Sequence, residues 1–260
     1  MYPTLSSSER PGGWRSLAAL LGGLLLVLYL VPLVALLVAV SPSVLLAGLT
    51  DPTVTAAATT SVLAALSSTA LAGLFGIPLA YWLARTDSRL GRVALVVVVL
   101  PLVLPPVVSG MLLVGVVGRG GLLGGVGLTR SFGAVVLAQT FVASPLVVIT
   151  ARTAFAGVDE ELRETARVLG CPPSTAFRRV ALPLAWPGVI AGLALGFARA
   201  MGEFGATMLL AYYPRTLPVQ VWVSFTTGGT DAAFPVAVVL LVVSLAVLAV
   251  VTALGTLPRG

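Results

Sequence analysis

Apolar residues are gathered into six long stretches, near residues 17–40, 55–84, 93–117, 132–156, 187–212 and 234–256, with short polar joints between them. Each has the roughly 20 residues that a helix needs to cross the hydrocarbon core of a bilayer. The pattern predicts an all-α integral membrane protein with about six transmembrane helices. The second stretch is softer, rich in Ala, Ser and Thr, yet residues 63–81 still read as a span. In the third, Pro101, Pro105 and Pro106 remove helix donors and predict a kink or break. Such a break is tolerated at membrane depth where the backbone is buried in protein or lines a wet cavity. In the fifth, Gly188, Gly192 and Gly196 recur every four residues, with Ala200 next. That spacing lets two helices approach closely, and it suits packing within one subunit as well as a seam between two copies.

The polar joints alternate in arginine. One side holds Arg10, Arg15, Arg85, Arg89, Arg92, Arg152, Arg163, Arg167, Arg178, Arg179 and Arg259, and the other only Arg119, Arg130 and Arg215. The positive-inside rule puts the first side, and with it both termini, in the cytoplasm. Residues 1–16 then form a cytoplasmic tail, 17–40 the first transmembrane helix and 51–257 the core, which includes a long cytoplasmic loop over 158–186. The first stretch is longer than a signal-peptide core and is followed by no small-residue cleavage site, so it reads as a membrane helix.

Composition sharpens this picture. The 260 residues are 58% hydrophobic and 9% charged, with a mean hydropathy of +1.09; soluble domains carry about 25% charged residues. The net charge of +6 is accounted for by topology, since eleven cytoplasmic arginines face six acids on that side. It does not call for a nucleic-acid partner. The chain has no histidine, no lysine and one cysteine, Cys171. A phosphate loop needs its lysine, so ATP is not hydrolysed here. Zinc sites and His-dependent triads lack their residues, and one cysteine cannot form an internal disulfide. These gaps point away from covalent chemistry.

The loop over 158–186 opens with Asp159 as a helix N-cap and acids in the first turn, which suits the helix dipole. Leu162, Ala166 and Leu169 share one face. Gly170 and Pro172-Pro173 stop this helix, and Ser174 can cap a second. By these features alone it is a short amphipathic helix, able to rest on lipid headgroups. Its residues also form a spaced motif: Glu164-Thr165-Ala166, three residues, Gly170, nine residues, then Val180-Ala181-Leu182-Pro183. The motif resembles the EAA loop that marks the permeases of binding-protein-dependent ABC importers, with Thr165 and Val180 as conservative departures. The resemblance implies the type I importer permease fold and makes this loop the coupling helix that docks on a separate ATPase subunit. Glu164, Ala166 and Gly170 are then the docking positions, with Arg163, Arg167 and Cys171 as nearby candidates. Cys171 reads as a small packing residue more readily than as a reactive thiol.

The resemblance extends from about residue 51 to the end. Gly76-Ile77-Pro78 through Arg85 is similar to the family's second core helix and its cytoplasmic exit. Pro101 through Gly110 and Ala198 through Thr207 resemble the oxyanion branch, which includes molybdate, tungstate and sulfate permeases. Ala211-Tyr212-Tyr213-Pro214-Arg215-Thr216-Leu217-Pro218-Val219 looks most like the molybdate/tungstate permeases, while Trp222-Val223-Ser224 departs from them. The implied machine is a homodimer of this chain in the cell membrane, two cytoplasmic ATPases that hold the ATP and Mg²⁺, and an extracytoplasmic oxyanion-binding protein. This subunit itself takes no cofactor. Arg199 and Glu203 lie one turn apart in the fifth stretch, where ionisable groups face a pathway or a partner, or pair with each other. Ser109, Thr140 and Thr207 are the candidate hydroxyls of the pathway. Sulfate or thiosulfate is the alternative cargo. An ion-gradient-driven transporter is the rival class, which calls for an internal repeat, and none is evident.

Overall fold

The computed structural model describes residues 13–168 and 170–256, all helix, turn or irregular chain with no strand among them. Helix α1 spans Gly13–Ala39 and α2 Pro42–Thr50. Helix α3, Pro52–Leu83, starts where Asp51 accepts a hydrogen bond from the backbone N–H of Thr53 at 2.6 Å. Pro52 sits at the first helical position, where no donor is needed. Ser88 caps α4, Arg89–Val103, and Ser131 caps α6, Phe132–Ala156. Between them lie α5, Pro106–Val117, and a short 3₁₀ turn at Gly124–Val126. Then come α7, Glu160–Val168, and α8, Pro173–Ala176, followed by a π-turn at Phe177–Ala181. Helices α9, Leu182–Met201, α10, Gly205–Leu210, and α11, Leu217–Thr256, complete the chain.

Among the described residues five segments are long and apolar enough to cross a membrane, and the bent pair α4–α5 makes a sixth if it counts as one span. The third apolar stretch is therefore not one helix. It turns by 116° between α4 and α5. Pro105 forces Leu104 into extended backbone and supplies no donor, whereas Pro101 stays inside α4. The fifth stretch is also corrected: α9 begins at Leu182 and ends at Met201, and the residues to 210 form the separate α10. The sixth begins much earlier than expected, at Leu217, with a kink at Gly229, whose φ of 71° is left-handed. Helix α2 had no counterpart in the apolar pattern.

The core is built from α3, α6 and α9. Between Val54 and Leu83, which are buried at its two ends, the buried residues of α3 are small, among them Ala57, Ser61, Ala64, Ser68, Ala72, Gly76 and Ala80, while Leu63, Leu66, Leu74 and Phe75 are exposed. This is the economy of a lipid solvent, in which large apolar groups gain nothing by moving inward and small ones let backbones meet. The glycine stripe of α9 lies against α6. A Cβ at Gly188 would stand 2.4 Å from the Ala154 Cβ, one at Gly192 3.3 Å from the Val147 carbonyl oxygen, and one at Gly196 2.5 Å from the Val147 Cγ2. The stripe is a contact within the chain. A second close approach joins α5 to α10, where a Cβ at Gly110 would fall 2.9 Å from the Ala206 Cα and one at Gly205 2.9 Å from the Pro106 Cβ.

Candidate coupling and translocation sites

The candidate coupling segment hangs from the end of α6. Val158 is buried, Asp159 Oδ1 accepts from the backbone N–H of Glu161 at 3.1 Å, and Glu160 and Glu161 occupy the first turn of α7. Arg163, Glu164, Ala166 and Arg167 all fall within α7, and Glu164 is exposed. Leu162 and Val168 are exposed as well, Val168 by 87%. Leu169, the third member of the expected face, lies outside the described residues. Gly170 follows with a φ of 79°, a conformation that glycine takes without strain. Cys171 is a half-buried free thiol. Ser174 does not cap α8. That helix begins one residue earlier, at Pro173, with Pro172 in the cap position and no side-chain cap, because proline needs no hydrogen-bond partner at the first helical position.

A set of contacts that the sequence did not reveal ties this segment to the core. Arg85 Nη1 meets Glu160 Oε2 at 2.7 Å, and Arg85 Nη2 donates to the Phe155 carbonyl at 3.1 Å. In return Arg152 Nε donates to the Leu83 carbonyl at 3.3 Å. Each arginine thus satisfies a C-terminal carbonyl of the other's helix, where the dipole favours a cation. Tyr81 packs edge-on against Phe155 and Phe177, with ring centroids 5.2 and 4.8 Å apart. The arginine just past a helix end was the available signal; its partner, 75 residues on, was not readable.

Of the expected pathway residues, Arg199 and Glu203 are together. Arg199 Nη1 lies 2.6 Å from Glu203 Oε2, with the Glu203 side chain 1% exposed. The other carboxylate oxygen accepts from the backbone N–H of Ala206 at 2.8 Å. Glu203 therefore stands in the break between α9 and α10, not inside a span, and links the end of one to the start of the other. Ser109 on α5 and Thr207 on α10 are fully buried beside the Gly110–Ala206 approach, and their hydroxyls have no hydrogen-bond partner among the described residues. Thr140 faces a different space. Its hydroxyl donates to the Val136 carbonyl at 2.7 Å, and it lines a cavity of about 230 Å³ with Gly76, Pro101 and Ser144. Two buried polar bridges were not anticipated: Ser68 Oγ to Gln139 Oε1 at 3.4 Å, and the Leu217 backbone N–H to Ser61 Oγ at 2.7 Å. A lone amide in an apolar span, Gln139, was the signal for the first.

Apolar spans around a small-residue core, with a polar helix segment at one end, define a multi-pass membrane protein. The chain belongs to the family described as the binding-protein-dependent transport system inner membrane component, which matches residues 76–257. It is 57% identical over 250 residues to a probable molybdenum ABC transporter permease protein of Haloferax volcanii, covering 95% of this chain and 93% of the relative. It is 32% identical over 236 residues to the molybdate/tungstate transport system permease protein of Pyrococcus abyssi, covering 90% and 92%. Its fold is similar to a bacterial alginate ABC transporter solved in complex with an alginate pentasaccharide-bound periplasmic protein, with a TM-score of 0.69, 18% identity and 94% of each chain covered.

Proposed function

We propose that this chain is the transmembrane subunit of an ATP-driven importer of molybdate or tungstate. The observation that carries the cargo is the 57% identity, over nearly the whole of both chains, to a molybdenum permease. In this reading two copies form the pathway, and both termini lie in the cytoplasm. Residues 158–186 then serve as the coupling loop on a separate ATPase that holds the ATP and Mg²⁺, and an extracytoplasmic protein delivers the oxyanion. Closure of the ATPases moves α7, and alternating access follows in the spans. The Arg85–Glu160 pair and the crossed Arg85 and Arg152 contacts give α7 a direct mechanical link to the ends of α3 and α6. Vesicles that contain the permease, its ATPase and its binding protein should accumulate labelled molybdate or tungstate only with ATP on the ATPase side, and a large excess of sulfate should barely reduce uptake. Equal competition by sulfate would replace the cargo; uptake that needs an ion gradient and no ATP would remove the importer reading.

Gly170 gives the docking assignment its own test. Among the described residues, and apart from its two chain neighbours, no heavy atom lies within 4 Å of a Cβ built there, so a methyl group finds room on the chain's own side. The positive φ makes any L-residue unfavourable by about 1 kcal/mol. Gly170→Ala should retain most ATP-dependent uptake, whereas Gly170→Trp should lose co-purification with the ATPase, or hydrolyse ATP without uptake, at unchanged expression. Normal uptake by Gly170→Trp would show that the ATPase docks elsewhere.

A further inference from the structure

The segment 211–219 takes no part in the sites above, and it carries an arginine in an unusual setting. Of the three arginines outside the arginine-rich joints and the spans, Arg119 and Arg130 are exposed. Arg215 is half-buried and lines a cavity of about 260 Å³ between the start of α3 and the turn into α11. Thr53, Ala56 and Thr60 form one wall, with Tyr213 and Gln220 on the other side. Arg215 Nη1 donates to Gln220 Oε1 at 3.2 Å, and Gln220, itself 8% exposed, is steadied by its own donation to Ser224 Oγ at 3.3 Å. The guanidinium also lies over the Tyr212 ring, 5.6 Å from its centroid. These contacts fix the guanidinium plane and leave its Nε–Nη2 edge without an acceptor among the described residues, with Nε itself buried.

A guanidinium offers planar N–H groups that suit the oxygens of a tetrahedral oxyanion. Nη2 has no acceptor among the described residues and, unlike Nε, is not closed off, so a ligand oxygen can reach it. Since a water takes about 30 Å³ of liquid, the cavity has room for an oxyanion with several waters. We infer that this cavity is a receiving site for the transported oxyanion, held through the guanidinium of Arg215, on the outer side of the pathway. The inference rests on the importer reading above. Asp51, which caps α3 beside Pro52 and Thr53 of the cavity wall, is kept below the usual carboxylate range by hydrogen bonds from the Thr53 hydroxyl and backbone N–H. Its charge opposes a dianion in the cavity, and the hold is correspondingly weak, as a conducting site requires.

The test uses the whole complex in vesicles and reads molybdate uptake, ATP hydrolysis stimulated by loaded binding protein, and the binding-protein concentration that gives half-maximal stimulation. Arg215→Gln should cut uptake about tenfold with that half-maximal concentration unchanged, and Arg215→Lys, which keeps the charge but not the fork, should recover only part of the loss. Ala56→Phe fills the cavity from the opposite wall without touching the guanidinium and should reproduce the defect, which a merely structural Arg215–Gln220 contact would not predict. Unchanged uptake in both Arg215→Gln and Ala56→Phe overturns the site. So does a loss that tracks a raised half-maximal concentration, since Arg215 would then contact the binding protein. If the unmodified complex accumulates no oxyanion, it is the importer reading that fails.

Discussion

Glu203→Leu is expected to lose about 3–5 kcal/mol of stability, the usual result of removing one partner from a buried ion pair. Glu203 is almost fully buried, holds Arg199 at 2.6 Å and accepts the Ala206 N–H at 2.8 Å. Its loss leaves a cation at the end of α9 with no counter-charge and removes the acceptor at the start of α10. The double variant Arg199→Met with Glu203→Leu should recover much of the loss, because no unpaired charge remains. Glu203→Gln, which can still accept from Ala206, should fall between. Denaturant titration of the unsubstituted protein, Arg199→Met, Glu203→Leu and the double variant in detergent supplies the cycle. A double variant whose loss equals the sum of the two single losses would mean that the two side chains are not energetically coupled.

The second large effect is at the α6–α9 contact. Gly188→Leu and Gly196→Leu each put a side chain where Ala154 or Val147 already stands, and overpacking of this kind typically costs about 1–3 kcal/mol per site. Eight residues of helix separate the two by about 12 Å, far enough for their effects to add. The pair should reduce the yield of monodisperse protein and lower its thermal midpoint by more than either single change. Gly192→Ala, whose new methyl would sit 3.3 Å from the Val147 carbonyl oxygen, should be milder. A double variant with an unchanged midpoint that no longer self-associates would transfer the stripe to a seam between copies.

Residue type and spacing were enough to read the solvent and the helical class. Helices with their backbone groups satisfied internally suit a chain this apolar in lipid, and Asp159 and Gly170 mark the ends of α7 through local backbone chemistry. The stretches containing Pro105 and Gly202 were harder. Hydropathy reports what a segment dissolves in, not its direction, so a turn of 116° between two apolar helices leaves no trace in the pattern beyond the prolines themselves.

What the sequence determined by itself is therefore what depends on neighbours along the chain: the apolar character of the spans, the arginine alternation, the Asp159 cap, the stop at Gly170, and the spaced motif over 164–183. The tertiary structure alone decided that the α9 glycines face α6, that Arg85 reaches Glu160, and that Arg215 is held beside a cavity. It also decided that Glu203 lies in a break between helices. These outcomes join residues far apart in the chain or turn on the direction of a helix. In a lipid solvent small residues can mark a packing face without naming its partner, so close approach and hydrogen-bond partners are set only when the helices meet.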